Sequence, residues 1–201
     1  INVIIDGGQA RITQTEIANW APANVKAVPI GYTHAIYTWE DLMKYSNGIP
    51  DGTKIIQMAN IEVPDGATWG SPNLYSGALY NGNGYTITGL NAPLFSNING
   101  HAYHIHLRGS TVKATIGDDD YGLLAKVNTG IITLCSANGS IEISGNSGFI
   151  HAGGLVGGND GHITRSTTNA TLTGTWQGSG LYAGGLAAYN NRTIVACAAY
   201  G

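Results

Sequence analysis

Four columns of residues recur at one interval of 31 along the second half of this sequence. Leu124, Leu155 and Leu186 form the first, Asn128, Asn159 and Asn190 the second, Ile132, Ile163 and Ile194 the third, and Cys135, Ser166 and Cys197 the fourth. Ile141 and Leu172 add a fifth. Phe95, Asn99 and Val112 precede Leu124, Asn128 and Ile141 by 29 residues each, so the array reaches upstream at least to Phe95. A unit of this length cannot bury its own apolar side, and only stacking against its neighbours closes a core.

Within a period the apolar residues come in short bursts, such as Gly154-Leu155-Val156, His162-Ile163-Thr164 and Thr171-Leu172-Thr173, separated by Gly, Asn and Asp. Bursts this short, bounded by turn formers and alternating with period two, are strands. Stacked copies about 4.8 Å apart bury a continuous column of like residues. The expected fold is all-β: a right-handed parallel β-helix, or β-solenoid, of about five or six coils with a short N-terminal helical cap. The pairs Gly153-Gly154 and Gly184-Gly185 are expected at corners that need positive φ or close approach.

Composition narrows the class further. Charged residues make up 10 % and the net charge is -3, against about 25 % charged in a typical soluble domain. That balance argues against a coiled coil, a disordered charged tail and an electrostatic partner such as nucleic acid. Although 43 % of residues are hydrophobic, each apolar stretch is broken before the roughly 20 residues that span a bilayer, so no transmembrane segment is expected.

Gly154-Leu155-Val156-Gly157-Gly158-Asn159-Asp160-Gly161-His162-Ile163 and the stretch from Tyr121 to Cys135 resemble the GLUG-motif repeats of bacterial surface β-solenoids. The upstream segments 36–42, 55–63 and 80–90 resemble the lead-in of such proteins. The resemblance spans roughly residues 36–201 and implies a secreted or surface-displayed, adhesin-like module with no catalytic residues in the repeat. The last copy departs from it, with Asn191-Arg192 where Asp160-Gly161 and Thr129-Gly130 stand earlier, which predicts a different corner there.

Thr38 with Asp41 three residues on reads as a helix start, with Glu40 and Asp41 near the positive end of a helix running to about Ser46. Residues 36–53 are therefore read as the cap and 54–201 as the β-helix, its last coil incomplete. Residues 1–35 are read as an N-terminal arm or the start of the cap. The chain opens on Ile1 with no signal-like region, as a processed chain does, and its abundance of Asn, Thr and Ser over Lys suits export; the expected location is extracellular or at the cell surface.

Several clusters could carry chemistry. Cys135 and Cys197 occupy equivalent positions two coils apart, about 9.6 Å, beyond the roughly 7 Å reach of a disulfide, so they are expected as unpaired core residues. His104 and His106 share an outward face at a spacing two ligands of one zinc could use, but no further ligand stands opposite, and His101, His104 and His106 are expected as solvent-exposed. Asp118, Asp119 and Asp120 are weak calcium candidates in a connection between coils, expected as a solvated turn. Thr86/Thr88 and Thr171/Thr173 are expected in one column, interrupted by Lys113 stacked on Glu142 as an ion pair. Tyr37, Trp39, Tyr45, Trp69, Tyr75, Tyr80 and Tyr85 form the densest aromatic set, expected mainly in cap packing, with sugar stacking as the alternative. No catalytic residue, cofactor or resident metal is assigned.

The function these features imply is a non-enzymatic module presenting loops or ends for binding a protein or glycan at a cell surface. Two alternatives stand beside it. One is a subunit of an extracellular fibre or pilus, self-associating through an uncapped C-terminal coil, with Ile1, Val3, Ile5, Tyr200 and Gly201 as candidate interaction ends. The other is a polysaccharide-binding or polysaccharide-cleaving β-helix.

Overall fold

The structure, a computed structural model, describes residues 27–117 and 119–200, with the backbone of two short strands, β1 (Ile4–Asp6) and β2 (Gln9–Arg11). These two pair antiparallel, Ile5 opposite Ala10. Ile1, Val3, Asp118 and Gly201 lie outside the described residues.

The rest of the strands wind into a parallel β-solenoid with four faces. The longest face stacks seven strands: β3 (His34–Ile36), β4 (Lys54–Gln57), β6 (Leu79–Asn81), β9 (His101–Tyr103), β13 (Ile131–Thr133), β17 (His162–Thr164) and β21 (Thr193–Val195). The second stacks six: β5 (Ile61–Glu62), β7 (Thr86–Thr88), β10 (His106–Ala114), β14 (Ser136–Gly145), β18 (Thr167–Trp176) and β22 (Ala198–Tyr200). A third has β11 (Asp119–Tyr121), β15 (Phe149–Gly153) and β19 (Gly180–Gly184). The fourth has β8 (Phe95–Ile98), β12 (Ala125–Asn128), β16 (Val156–Asn159) and β20 (Ala187–Asn190). Only three turns pass through the third face, fewer full coils than the five or six expected. The upstream turns are shorter, and single bridges Ile49 to Leu74 and Leu74 to Ile98 stand in for strands of the fourth face.

Alternation along each strand sends one side chain inward, and parallel stacking then builds columns. Ile55, Tyr80, Ala102, Ile132 and Ile163 stack in register, all fully buried. Each large member of such a column contributes about 1.5–3 kcal/mol relative to exposure. Ala102 is the small member, next to the edge-on pair of Tyr80 and Phe95 at 5.9 Å. The asparagine column is internal at Asn128 and Asn159 and reaches the surface at Asn190. Asn128 Nδ2 donates to Asn159 Oδ1 at 2.7 Å and Asn159 Nδ2 to Asn190 Oδ1 at 2.6 Å, while the Gly130 and Gly161 N–H groups donate to the Asn128 and Asn159 oxygens.

The upstream register departs from the 29-residue offset at two of its three expected pairs. Phe95 pairs with Ala125 and Ile98 with Asn128, so buried Ile98 rather than Asn99 precedes the asparagine ladder. Val112 does pair with Ile141, because β10 carries an extra residue between Leu107 and Ser110, where Gly109 has φ +56°. That bulge absorbs the one-residue difference. The threonines do not share one column: Thr86 and Thr88 stack on His106 and Arg108, while Lys113, Glu142 and Thr173 share another. Lys113 and Glu142 are register partners but do not close to an ion pair.

The corners also depart from expectation. Positive φ falls at His104, Leu134, Arg165 and Ala196, one stacked corner of non-glycine residues, and at none of Gly153, Gly154, Gly184 or Gly185. Those glycines serve close approach instead: a Cβ on Gly153 would lie 1.9 Å from the Val156 carbonyl oxygen. At Asn191-Arg192 the corner keeps its backbone bonding, since the Asn191 N–H donates to Asn159 O at 2.8 Å as the Asp160 N–H does to Asn128 O.

Helix α1 (Trp39–Met43) lies between β3 and β4, shorter than a helix to Ser46. Thr38 Oγ1 accepts from the Asp41 N–H at 3.3 Å, and the Asp41 carboxylate accepts from Tyr37 N–H and Lys44 Nζ. Leu42 is buried, and Trp39, Met43 and Tyr45 pack on the core.

Cys135, Ser166 and Cys197 stack as one column: Cys135 N–H donates to Ser166 Oγ and Ser166 N–H to Cys197 Sγ. Burial pushes the Cys135 thiol up to about 12. Native protein at mildly alkaline pH is therefore expected to leave Cys135 unmodified by iodoacetamide, with alkylation only after denaturation, as read by peptide mass spectrometry. Rapid native labelling of Cys135 would show that the column is open.

Candidate functional site

A concavity lies outside the solenoid, where the third and fourth faces meet. It has a volume of about 490 Å³ and is lined by Asp119, Asp120, Phe149, His151, Tyr182 and Tyr189. Strand alternation places its floor: with Ile150 and Ala152 inward and buried, Phe149 and His151 project outward. Parallel register then stacks Asp120, His151 and Tyr182 in one outward column.

Two glycines make room for the walls. Gly180 is the register partner of Phe149, and a Cβ there would meet the Phe149 ring at 2.9 Å, so Phe149 leans over it to within 6.3 Å of the Tyr182 ring. Gly158 is the partner of Tyr189, and a Cβ there would lie 2.1 Å from the Tyr189 ring, which crosses that glycine to meet His151 edge-on at 5.2 Å. The His151 and Tyr182 rings lie 5.1 Å apart, tilted by 33° to one another. Phe149 and Tyr182 remain 42 % and 52 % exposed, so part of the wall is accessible from solvent.

The carboxylates sit at the other edge. Asp119 pairs with Lys126, whose Nζ also lies 5.5 Å from the Tyr121 ring centre. His151 Nδ1 stands 3.0 Å from Asp120 Oδ1, off the line of a good hydrogen bond, so this buried oxygen has no aligned donor. Burial raises the Asp120 carboxyl above its ordinary value; attraction to His151 opposes this, and Asp119 and Asp160 reinforce it. The Tyr189 hydroxyl is raised by burial, then by Asp120 and Asp160. Aromatic faces next to carboxylate acceptors can stack on the C–H face of a pyranose ring and hold its hydroxyls.

The residues singled out from sequence are distributed differently. Asp119 and Asp120 belong to strand β11 and to this groove, each facing a basic partner, rather than to a solvated turn. Among the described residues no group of three or more His, Cys, Asp or Glu is arranged to hold a metal ion. The histidines are half-buried rather than solvent-exposed. His101 meets Thr133 Oγ1 at 3.3 Å, His106 meets Ser136 Oγ at 2.5 Å, and His104 lies 5.1 Å from His106. Burial lowers the pKa of His101 and, with His104 and Arg108, that of His106. Of the aromatic set, Trp39, Tyr45 and Trp69 pack on the core, Tyr80 is fully buried, and none lines the groove. Tyr200 is 62 % exposed, on β22.

Phe149, Tyr182 and Tyr189 escaped the sequence reading because they occupy different positions of the repeat and form no column. The available signal was the pairing of Phe149 with Gly180 and of Gly158 with Tyr189, one period apart. No helix among the described residues is long and apolar enough to cross a membrane. Comparison of the chain with protein-family models, with curated proteins and with solved structures found no match.

Proposed function

We propose that this chain is a non-enzymatic β-solenoid module, displayed outside the cell or on its surface, that binds a glycan in the flank groove. The carrying observation is the aromatic wall of Phe149, His151, Tyr182 and Tyr189 beside Asp119 and Asp120. Such a wall offers stacking area that loses little side-chain entropy on binding, because the rings are already held by one another. The pairing of Asp119 with Lys126 suits it to hold position in the groove. The resemblance of the repeats to GLUG-motif proteins supports the location and an adhesin-like role.

The test is affinity gel electrophoresis of the purified chain in gels carrying neutral, amino or acidic polysaccharides. Retardation by at least one is expected, and Tyr182→Ala, which removes one stacking face worth roughly 1 kcal/mol, should weaken it about fivefold. Migration unchanged in every gel, or retardation that Tyr182→Ala leaves intact, overturns the reading.

A further inference from the structure

The groove has an electrostatic character that narrows its ligand. Three carboxylates, Asp119, Asp120 and Asp160, lie in or beside it, against two basic groups, Lys126 paired to Asp119 and His151 3.0 Å from Asp120. Asp120 and Asp160 both act on the Tyr189 hydroxyl, which places their negative field on the aromatic wall. This concentration of charge stands on a chain with only 12 acidic and 9 basic residues in all. The faces of Tyr182, Tyr189 and Phe149 carry negative quadrupoles, so field and rings favour the same kind of guest, a cation. A uronate, sulfated or phosphorylated chain would meet repulsion from both.

Resting on the glycan-binding reading, we propose that the groove selects a cationic amino sugar, a chain of deacetylated hexosamine units. A pyranose face stacks on Tyr182, and an ammonium group lies at the Asp120 side of the groove. The choice of a sugar over a simple organic cation follows from shape. The rings line an open flank and lie side by side at 5.1 and 6.3 Å, which suits a flat, extended polymer better than an enclosed ammonium. The carboxylate has its own reason to favour such a guest. Asp120 is half-buried with one oxygen lacking an aligned donor, and a neighbouring ammonium offsets the cost of keeping it ionised there.

The experiment is isothermal titration of the full chain in mildly acidic buffer, where the sugar amines are charged. The probes are a glucosamine hexamer, an N-acetylglucosamine hexamer, cellohexaose and poly-lysine. The glucosamine hexamer is expected to bind about tenfold more tightly than its acetylated counterpart, the size of one partly desolvated charge pair. Added salt should shrink that ratio. Asp120→Asn should narrow it severalfold, with circular dichroism confirming that the variant is folded; the ratio in the unaltered chain tests the proposal without any variant. Equal or tighter binding of the neutral hexamers overturns the cation preference while leaving the groove as a glycan site. Poly-lysine binding as tightly as the glucosamine hexamer overturns it in favour of charge alone. Binding of none of the four overturns this proposal, and it overturns the glycan reading as well if the wider polysaccharide gels are also silent.

Discussion

Gly139→Ala is expected to destabilise the solenoid by about 3–4 kcal/mol, one added methyl group notwithstanding. Gly139 pairs with Ser110 across β10 and β14, immediately after the bulge in β10. The extra residue there drives the Ser110 carbonyl into the space a side chain would need: an ideal Cβ on Gly139 lies 2.1 Å from Ser110 O and 3.0 Å from Ser110 N. Those are backbone atoms in a sheet stacked on both sides, so neither can move without breaking ladder bonds. The next coil carries Ala170 at the equivalent place, opposite Gly139, and tolerates its methyl group because β14 has no bulge. Ala170→Gly is therefore the matched control, expected to cost about 1 kcal/mol through backbone entropy. Urea unfolding of both variants separates the cases. A Gly139→Ala midpoint close to that of the unaltered chain would mean that the bulge relaxes and the register is not held there.

Asn159→Ala should cost a similar amount, about 3–4 kcal/mol, for a different reason. Its amide is fully buried and makes five connections: to Asn128, Asn190 and the Thr193 carbonyl in the neighbouring coils, and to the N–H and carbonyl groups of Gly161 in its own. Truncation strands the Asn128 donor and the Gly161 N–H in a place water does not reach, and frees the Asn190 oxygen at the exposed end of the ladder. Asn128→Ala should cost less, because apolar Ile98 stands above it and its amide links to other coils run to the next coil only, to Asn159 and the His162 carbonyl. Thermal unfolding of the two variants gives the ranking, and equal losses would show that the ladder does not act as a connected chain.

The parts of the fold that were legible in the sequence are those governed by stacking. Leu155, Asn159, Ile163 and Ser166 recur because every coil places the same inward position over the last, and chemistry at such a position must suit its own copies. The exchange of Ile98 for Asn99 was not legible, since a bulge shifts register without leaving a composition signal beyond one glycine. Nor was the stacked corner of His104, Leu134, Arg165 and Ala196, where a left-handed backbone is held by the coil geometry and not by residue type. Asp119 and Asp120 were noticed as an acidic run, but their role depends on His151 and Lys126, which alternation and register bring beside them.

The 31-residue period by itself determined that this chain stacks as parallel strands, which inward residues form its core, and that its cysteines are too far apart to bond. Those conclusions need only the strand repeat and the spacing between coils. Tertiary structure alone decided the groove. Outward positions are free of the stacking constraint, so Phe149, Tyr182 and Tyr189 need not recur, and they meet only because Gly180 and Gly158 let three rings from three different strands cross to one another.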